Sequence, residues 1–424
     1  MSRKQILQQI LLLVFLLPAF EASSQSEEIL LAPVKTGGEL GYYGYIDKTG
    51  KMAIEPQFDG AGDFQEGLAP IKMGDKWGYI NKAGKMVIKP QFGGVYYFQK
   101  GRAWIQIGYK WGCIDKTGKI VIKPQFYGIW DFQEGLAKVK LAGGHDFIYG
   151  YIDKTGKMVI EPQFDEAEGF QEGLAMIKFN LHKHGYTDSH RPGGFIDKTG
   201  KIVFKLQFGR AEYFKEGLAK IQLFDKYSYI DKTGKMINTP FYDAPQFDDA
   251  RDFQEGLASI KLRRGWGYID KSGKIVIKPQ FDGAGDFQEG LAGIQLDGKW
   301  GFIDKTGKIV IEPQFDEIEY FLGGLARIKL DDKWGYIDKT GKMVVEPQFD
   351  EIEYFLGGLA RIKLDDKCGY IDKTGKIVIE PQFDEIGHFL GGLARIKLDD
   401  KCGYIDKTGK IVIEPQFDEA GYFR

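Results

Sequence analysis

From residue 324 to residue 356 the apolar and polar positions alternate with a period of two. Leu325, Arg327 and Lys329 fall on one side of the first run, and Ala326, Ile328 and Leu330 on the other. That is strand spacing, not helix spacing. Four short strands are expected: Leu325 to Leu330, Lys333 to Asp338, Lys342 to Glu346 and Glu351 to Phe355. Asp331-Asp332 supplies a tight turn between the first two. In Asp338-Lys339-Thr340-Gly341-Lys342, Asp stands first and Gly fourth. A type I turn favours that Asp, whose carboxylate accepts a backbone N–H two residues on. The Gly then takes the left-handed conformation that closes a three-residue hairpin with a bulge. Pro347 cannot donate to a ladder, so it marks the end of the third strand. Trp334 and Tyr336 share one face and Ile337 takes the other; Met343 and Val345 likewise oppose Val344. A small sheet apolar on both faces belongs between two others, at a spacing of about 10 Å.

The same string recurs along the chain. Its Asp position falls at Asp47, Asn81, Asp115, Asp153, Asp197, Asp231, Asp270, Asp304, Asp338, Asp372 and Asp406. Most intervals are 34 residues, and the eleven Gly positions run from Gly50 to Gly409. A fixed period of this size means a repeat architecture in which each unit buries its apolar surface against its neighbours. The fold class is therefore all-β: a tandem array of eleven units of about 34 residues, each a set of short antiparallel, blade-like strands. Residues 338–371 match residues 304–337 at 31 of 34 positions. Near-copies lengthen an open stack freely, whereas a closed β-propeller ordinarily has about four to eight blades. An open solenoid or superhelix is expected ahead of a propeller. The absence of a polar cap after Phe423-Arg424 argues the other way.

Composition narrows the function. Lys and Arg number 58 against 60 Asp and Glu, a net charge of −2. That lacks the basic excess of a nucleic-acid binder. The first 24 residues stand apart: Arg3 and Lys4, an aliphatic run from Ile10 to Leu17, then Ala22-Ser23-Ser24. This is the layout of a cleavable secretory leader, and the apolar run is short for a membrane span. Residues 1–24 are expected to be a signal peptide and residues 25–424 a single repeat array. The mature protein is expected to be exported, to the periplasm, the cell surface or the medium, with no membrane span after cleavage. Disulfides are not its staple, because only Cys113, Cys368 and Cys402 occur. Cys368 and Cys402 replace Trp at equivalent positions of adjacent units. Layers about 10 Å apart exceed the roughly 7 Å reach of a disulfide, so two free buried thiols are expected.

The run Lys333-Trp334-Gly335-Tyr336-Ile337-Asp338, with Gly341-Lys342, Glu346-Pro347-Gln348-Phe349 and Gly358-Leu359-Ala360, closely resembles the WG (or KWG) repeat of bacterial proteins. The resemblance spans residues 30 to 424. Tyr227-Ser228 loses the Gly, Gly193 loses the aromatic, and Cys368 and Cys402 replace Trp. The family is known as a repeat without a shared activity or cofactor. The resemblance therefore implies no catalytic, cofactor-binding or metal-binding residue.

Departures from the repeat are where function should be sought. Two insertions, residues 141–148 and 179–193, hold His145, His182, His184 and His190, with Asp146 and Asp188 beside them. Imidazoles at this spacing suit zinc or copper, and a solvated polar loop is the simpler reading. His388 replaces the aromatic seen at Tyr354 and reads as a packing substitution. Carboxylate pairs such as Asp350-Glu351 recur in many units, whereas a glycosidase needs one pair set apart by its environment. No catalytic group, cofactor or metal site is assigned. The expected function is a non-enzymatic, exported scaffold for protein–protein interaction. The alternative is a carbohydrate or cell-wall binder using aromatic side chains, with Trp104 and Trp130 outside the repeated Trp position.

Overall fold

The computed structural model describes residues 29–424 apart from 144–145, 180–192, 207–209, 224, 238–246 and 264. Residues 1–24, and His145, His182, His184, His190 and Asp188 with them, lie outside the described residues. The expected all-β tandem array is what forms.

The ninth unit shows how a sheet is made. Its strands are Leu325–Leu330, Lys333–Asp338 and Met343–Phe349. The first two pair without irregularity from Leu325↔Asp338 to Leu330↔Lys333. Asp331 and Asp332 both have positive φ, at 49° and 61°. Such a turn matches the natural twist of a hairpin. The Asp338 turn forms as expected. Asp338 Oδ1 accepts the Thr340 N–H at 2.8 Å, the Thr340 hydroxyl at 2.6 Å and the Lys342 N–H at 3.1 Å. Gly341 follows at φ 84°.

Two details depart from the expectation. The third strand does not stop at Pro347 but runs through it to Phe349, because the ladder slips there. Trp334 pairs with Phe349 and Tyr336 with Val345, so Gly335 alone faces three residues. Pro347 sits in this bulge, where no N–H is needed. A Cβ on Gly335 would lie 2.4 Å from the Val345 carbonyl oxygen. That close approach is why Gly follows Trp. The fourth strand is also only Glu351–Ile352, and it pairs with Leu359–Leu364 of the next unit. Each sheet therefore receives its fourth strand from the unit before it. Side-chain alternation cannot reveal this, because it fixes faces and not partners.

Neighbouring sheets share one apolar layer. Tyr336, Val345 and Phe349 of the ninth sheet pack with Ala360, Ile362 and Ile371 of the tenth. Tyr336 is buried and its hydroxyl donates to the Glu353 carbonyl at 2.6 Å. The same Tyr-to-short-strand bond recurs from Tyr45 to Gly62, Tyr79 to Tyr96 and Tyr370 to Gly387. Phe195 and Phe302 take the Tyr position in two units and Cys113 in another, all buried.

The layers stack as a solenoid's do and no sheet curls into a barrel, but the ends meet. The expectation of an open stack is corrected here. Glu419–Ala420, the last strand, pairs with Leu31–Thr36, the first. Arg424 and Leu31 exchange two backbone hydrogen bonds, each 3.2 Å. The seam repeats the internal junctions contact for contact. Tyr404 donates to the Gly421 carbonyl at 2.8 Å as Tyr370 does to Gly387. Gly50 lies against Ile413 as Gly84 lies against Ile54. Asp418 accepts the Gly38 N–H as Asp384 accepts that of Asp399. The last unit thus supplies the first sheet with the strand that every other sheet takes from its predecessor. It needs no polar cap because it has no free end.

The regular pattern loosens in the middle. In the fourth unit the third strand runs without a break into the short one, as Met158–Ala167. This merges two units into one seven-stranded sheet. In the sixth unit Ser228 replaces the Gly of the bulge, and Tyr227 pairs with Phe247.

Candidate functional site

Most of the repeated polar chemistry is structural. Ten turn carboxylates, from Asp47 to Asp406, make the Asp338 pattern, and Asn81 makes it in the second unit with N–H bonds of 3.1 and 3.0 Å. The hydroxyl of Thr340 foremost, with the turn N–H groups, holds the Asp338 carboxyl below its usual range despite some desolvation. A second device is a rung of glutamates. Glu289 accepts the N–H groups of Gly323 at 2.6 Å and Gly324 at 3.0 Å, and Lys339 pairs with it at 3.0 Å. Glu66, Glu134, Glu172, Glu216 and Glu255 each accept a backbone N–H of the following unit and pair with a lysine. The next positions in the series are Gly323, Gly357 and Gly391, so the last junctions lack the rung.

The repeated Trp position is packing. Trp266 is buried, and Trp77, Trp111, Trp300 and Trp334 are half-buried. The Trp77, Trp111 and Trp300 rings cover the short strand where it carries Gly60, Gly94 and Gly283. A row of exposed Trp for sugar does not exist at this position. Cys368 and Cys402 are free, buried thiols, as expected, and Cys113 is a third. Burial pushes the Cys113 thiol up to about 11. Desolvation raises Cys368 and Cys402 as well. Among the described residues no three His, Cys, Asp or Glu side chains cluster in a way that could hold a metal ion. His388 is not packed into the core. Its side chain is 45% exposed, with Nε2 3.8 Å from Glu353.

One surface stands out from the repeat. The third and fourth units expose Tyr109, Tyr127, Trp130 and Phe147. Tyr127, Phe147, Tyr149 and Trp130 form a contiguous strip interleaved with lysines, and Tyr109 immediately precedes Lys110, which reaches Tyr127. Lys110 lies 5.7 Å from the Tyr127 ring centre, and Tyr127 is 5.4 Å from Phe147. Lys140 covers Phe147 at 3.9 Å, and Lys138 covers Trp130 at 4.5 Å. Trp130 also meets Tyr149 at 5.8 Å. Of the two Trp singled out in the sequence, Trp130 belongs to this strip. Trp104 is half-buried and stacks on Phe132 at 5.9 Å. The sequence signal for the rest of the strip was present and unused: Tyr109, Tyr127 and Phe147 have no aromatic counterpart in units nine to eleven.

A second departure lies at the last junctions. Arg327 donates to Glu319 and to the Ile352 carbonyl, and Tyr354 donates to the same Glu319. One unit later Arg361 donates to Glu353 and, at 2.9 Å, to the Ile386 carbonyl. One unit later again, Arg395 reaches the Ala420 carbonyl at 3.1 Å, but Gly387 stands where the glutamate should be. A cleft of about 420 Å³ opens there, lined by Arg361, Gly387, His388, Arg395 and Tyr422 among others.

No helix among the described residues is long and apolar enough to cross a membrane. No curated protein matches the sequence significantly. Solved structures overlap it at low scores. A eukaryotic initiation factor is 10% identical over 94% of this chain and 98% of its own, with a TM-score of 0.41. Apo AztD from Citrobacter koseri is 12% identical over 69% of this chain and 93% of its own, at 0.29. Hsv2p from Kluyveromyces lactis is 8% identical over 57% and 92%, at 0.31. Overlaps this loose say nothing about what the chain does. The family profile of the WG containing repeat, by contrast, matches eleven consecutive segments: 43–77, 77–111, 111–144, 149–180, 194–227, 227–263, 266–300, 300–334, 334–368, 369–402 and 403–424. The segments follow the repeat units one by one, and the chain belongs to the WG-repeat family.

Proposed function

We propose that the protein is a non-enzymatic, exported scaffold that binds a partner protein through the aromatic and lysine strip of its third and fourth units. The observation that carries this reading is the exposure of that strip. Tyr109 is 85% exposed, and Trp130 and Phe147 are 41% and 44% exposed, whereas the repeated Trp positions are covered. Aromatic groups gathered on a surface are characteristic of protein interfaces, where they act as anchors. Lys110 and Lys140 favour a partner that is acidic around an apolar patch. Export rests on the leader-like first 24 residues.

The test is a substitution that leaves the core alone. Tyr109→Ser, Tyr127→Ser and Trp130→Ser together should abolish capture of a specific envelope protein while the melting temperature stays within a few degrees. Equal capture by both proteins would refute the reading. Trp130 also supports the alternative, a carbohydrate or cell-wall binder, since an exposed indole stacks on a sugar face. Binding to a glycan array that disappears with Trp130→Ser would favour that alternative.

A further inference from the structure

The last three units are near-copies, so a missing group in one can be located from the other two. Glu319 stands eight residues before Arg327, and Glu353 eight residues before Arg361. Each carboxylate takes the Nη2 end of its arginine. Glu319 also takes the hydroxyl of Tyr354, from the following unit. Eight residues before Arg395 stands Gly387, and the counterpart of Tyr354 is Tyr422. The arginine and the tyrosine have been kept, and the carboxylate between them has been removed.

The geometry agrees with the register. Arg395 still donates through Nη1 to the Ala420 carbonyl, as Arg361 does to Ile386. Its Nη2 makes an ion pair with Glu385 at 3.7 Å, beyond hydrogen-bond reach, and Asp63, which accepts the Tyr422 N–H at 3.0 Å, attracts the same arginine. A Cβ at Gly387 would lie 3.5 Å from the Tyr422 hydroxyl, so the ring edge reaches where the carboxylate would begin. The gap opens into the cleft of about 420 Å³, which Cys368 also lines where other units carry Trp, and that volume is within the usual range for a small-molecule site.

We propose that this cleft binds a small organic monocarboxylate, whose carboxylate takes the place of the absent glutamate side chain between Arg395 and Tyr422. Arginine pairs a carboxylate through charge-assisted hydrogen bonds, which are stronger than neutral ones. Glu351, Glu353, Asp384 and Glu385 also line the cleft. Glu353 is occupied by Arg361 and lies near His388, and Glu385 is shared with Lys397 at 3.7 Å. These acids disfavour phosphate and other multiply charged anions, and they suit a ligand whose far end carries hydroxyl or ammonium groups. The site is independent of the aromatic strip, so the scaffold reading and this one stand or fall separately.

Calorimetric titration of the full chain with acetate, glucuronate and triglycine, against sodium chloride of equal ionic strength, tests it. Acetate reports the bare carboxylate, glucuronate a sugar acid and triglycine a peptide end. Saturable binding of at least one is expected, with inorganic phosphate showing none. Arg395→Met should weaken binding at least tenfold. Gly387→Glu restores the internal carboxylate, so it should abolish binding while keeping or raising the melting temperature. The proposal is overturned if none of the three binds saturably, or if Gly387→Glu binds as the wild type does.

Discussion

Closure can be tested at one side chain. Phe423 is the second residue from the C-terminus, yet it is only 2% exposed and packs on Tyr404 with ring centres 4.8 Å apart. Its counterpart inside the array, Phe321, is 1% exposed and meets Phe302, also at 4.8 Å. Removing a buried phenylalanine side chain costs about 3–5 kcal/mol. Because the two sites match in burial and ring contact, Phe423→Ala and Phe321→Ala should cost the same to within about 1 kcal/mol. In an open stack the last turn would fray, and Phe423→Ala would cost well under about 1 kcal/mol, as exposed terminal residues do. Urea unfolding followed by far-ultraviolet circular dichroism gives the two values. Hydrogen exchange over residues 31–36 supplies a local reading, because that strand is bonded on both sides only when Glu419–Ala420 is docked. A cost under about 1 kcal/mol for Phe423→Ala, beside a full cost for Phe321→Ala, would refute closure.

Gly335→Ala should cost about 1–3 kcal/mol, since backbone must yield to the new methyl group; urea denaturation matching the wild type would show that the bulge is not fixed by this contact. The turn aspartates titrate below their usual value because hydroxyl and N–H groups hold the ionised form. Stability from them is complete above the ordinary Asp pKa and is lost as pH falls through the lowered folded values. Replacing Asp338, Asp372 and Asp406 by Asn should therefore lower the melting temperature at pH 7, with the gap to wild type narrowing as pH falls below the ordinary Asp range; a gap independent of pH would contradict this. The three thiols, buried and with raised pKa values, should be unreactive towards a thiol reagent in the native protein, and three should react in denaturant. Rapid native labelling of Cys368 or Cys402 would show that the packing around them opens.

The strands and the Asp-to-Gly turn were legible because each is local: period two sets the faces, and one carboxylate with one Gly sets the turn. The destination of Glu351–Ile352 was not, because the pairing partner of an edge lies outside the segment that forms it. Closure left no mark in the sequence either. Glu419-Ala420 does at the seam what Glu385-Ile386 does at an internal junction, so the closing strand looks like any other. Pro347 misled for a physical reason: the absence of a donor ends a regular ladder, but a bulge opposite Gly335 asks for no donor. At the candidate sites, Trp130 was visible as an off-pattern aromatic. The gap at Gly387 was visible only once Arg327 and Arg361 had been seen holding the glutamates that Arg395 lacks.

The donated strand has a further consequence for how copies of this chain treat one another. Leu31–Thr36 will accept any terminal strand with the sequence of residues 418–424, and a second molecule carries the same one. What keeps the seam intramolecular is concentration: a tethered end acts as though present at about millimolar concentration. Refolding in dilute solution should return monomers. Refolding near that concentration should let terminal strands cross between chains, giving strand-exchanged dimers and longer assemblies that revert to monomer only by unfolding the seam.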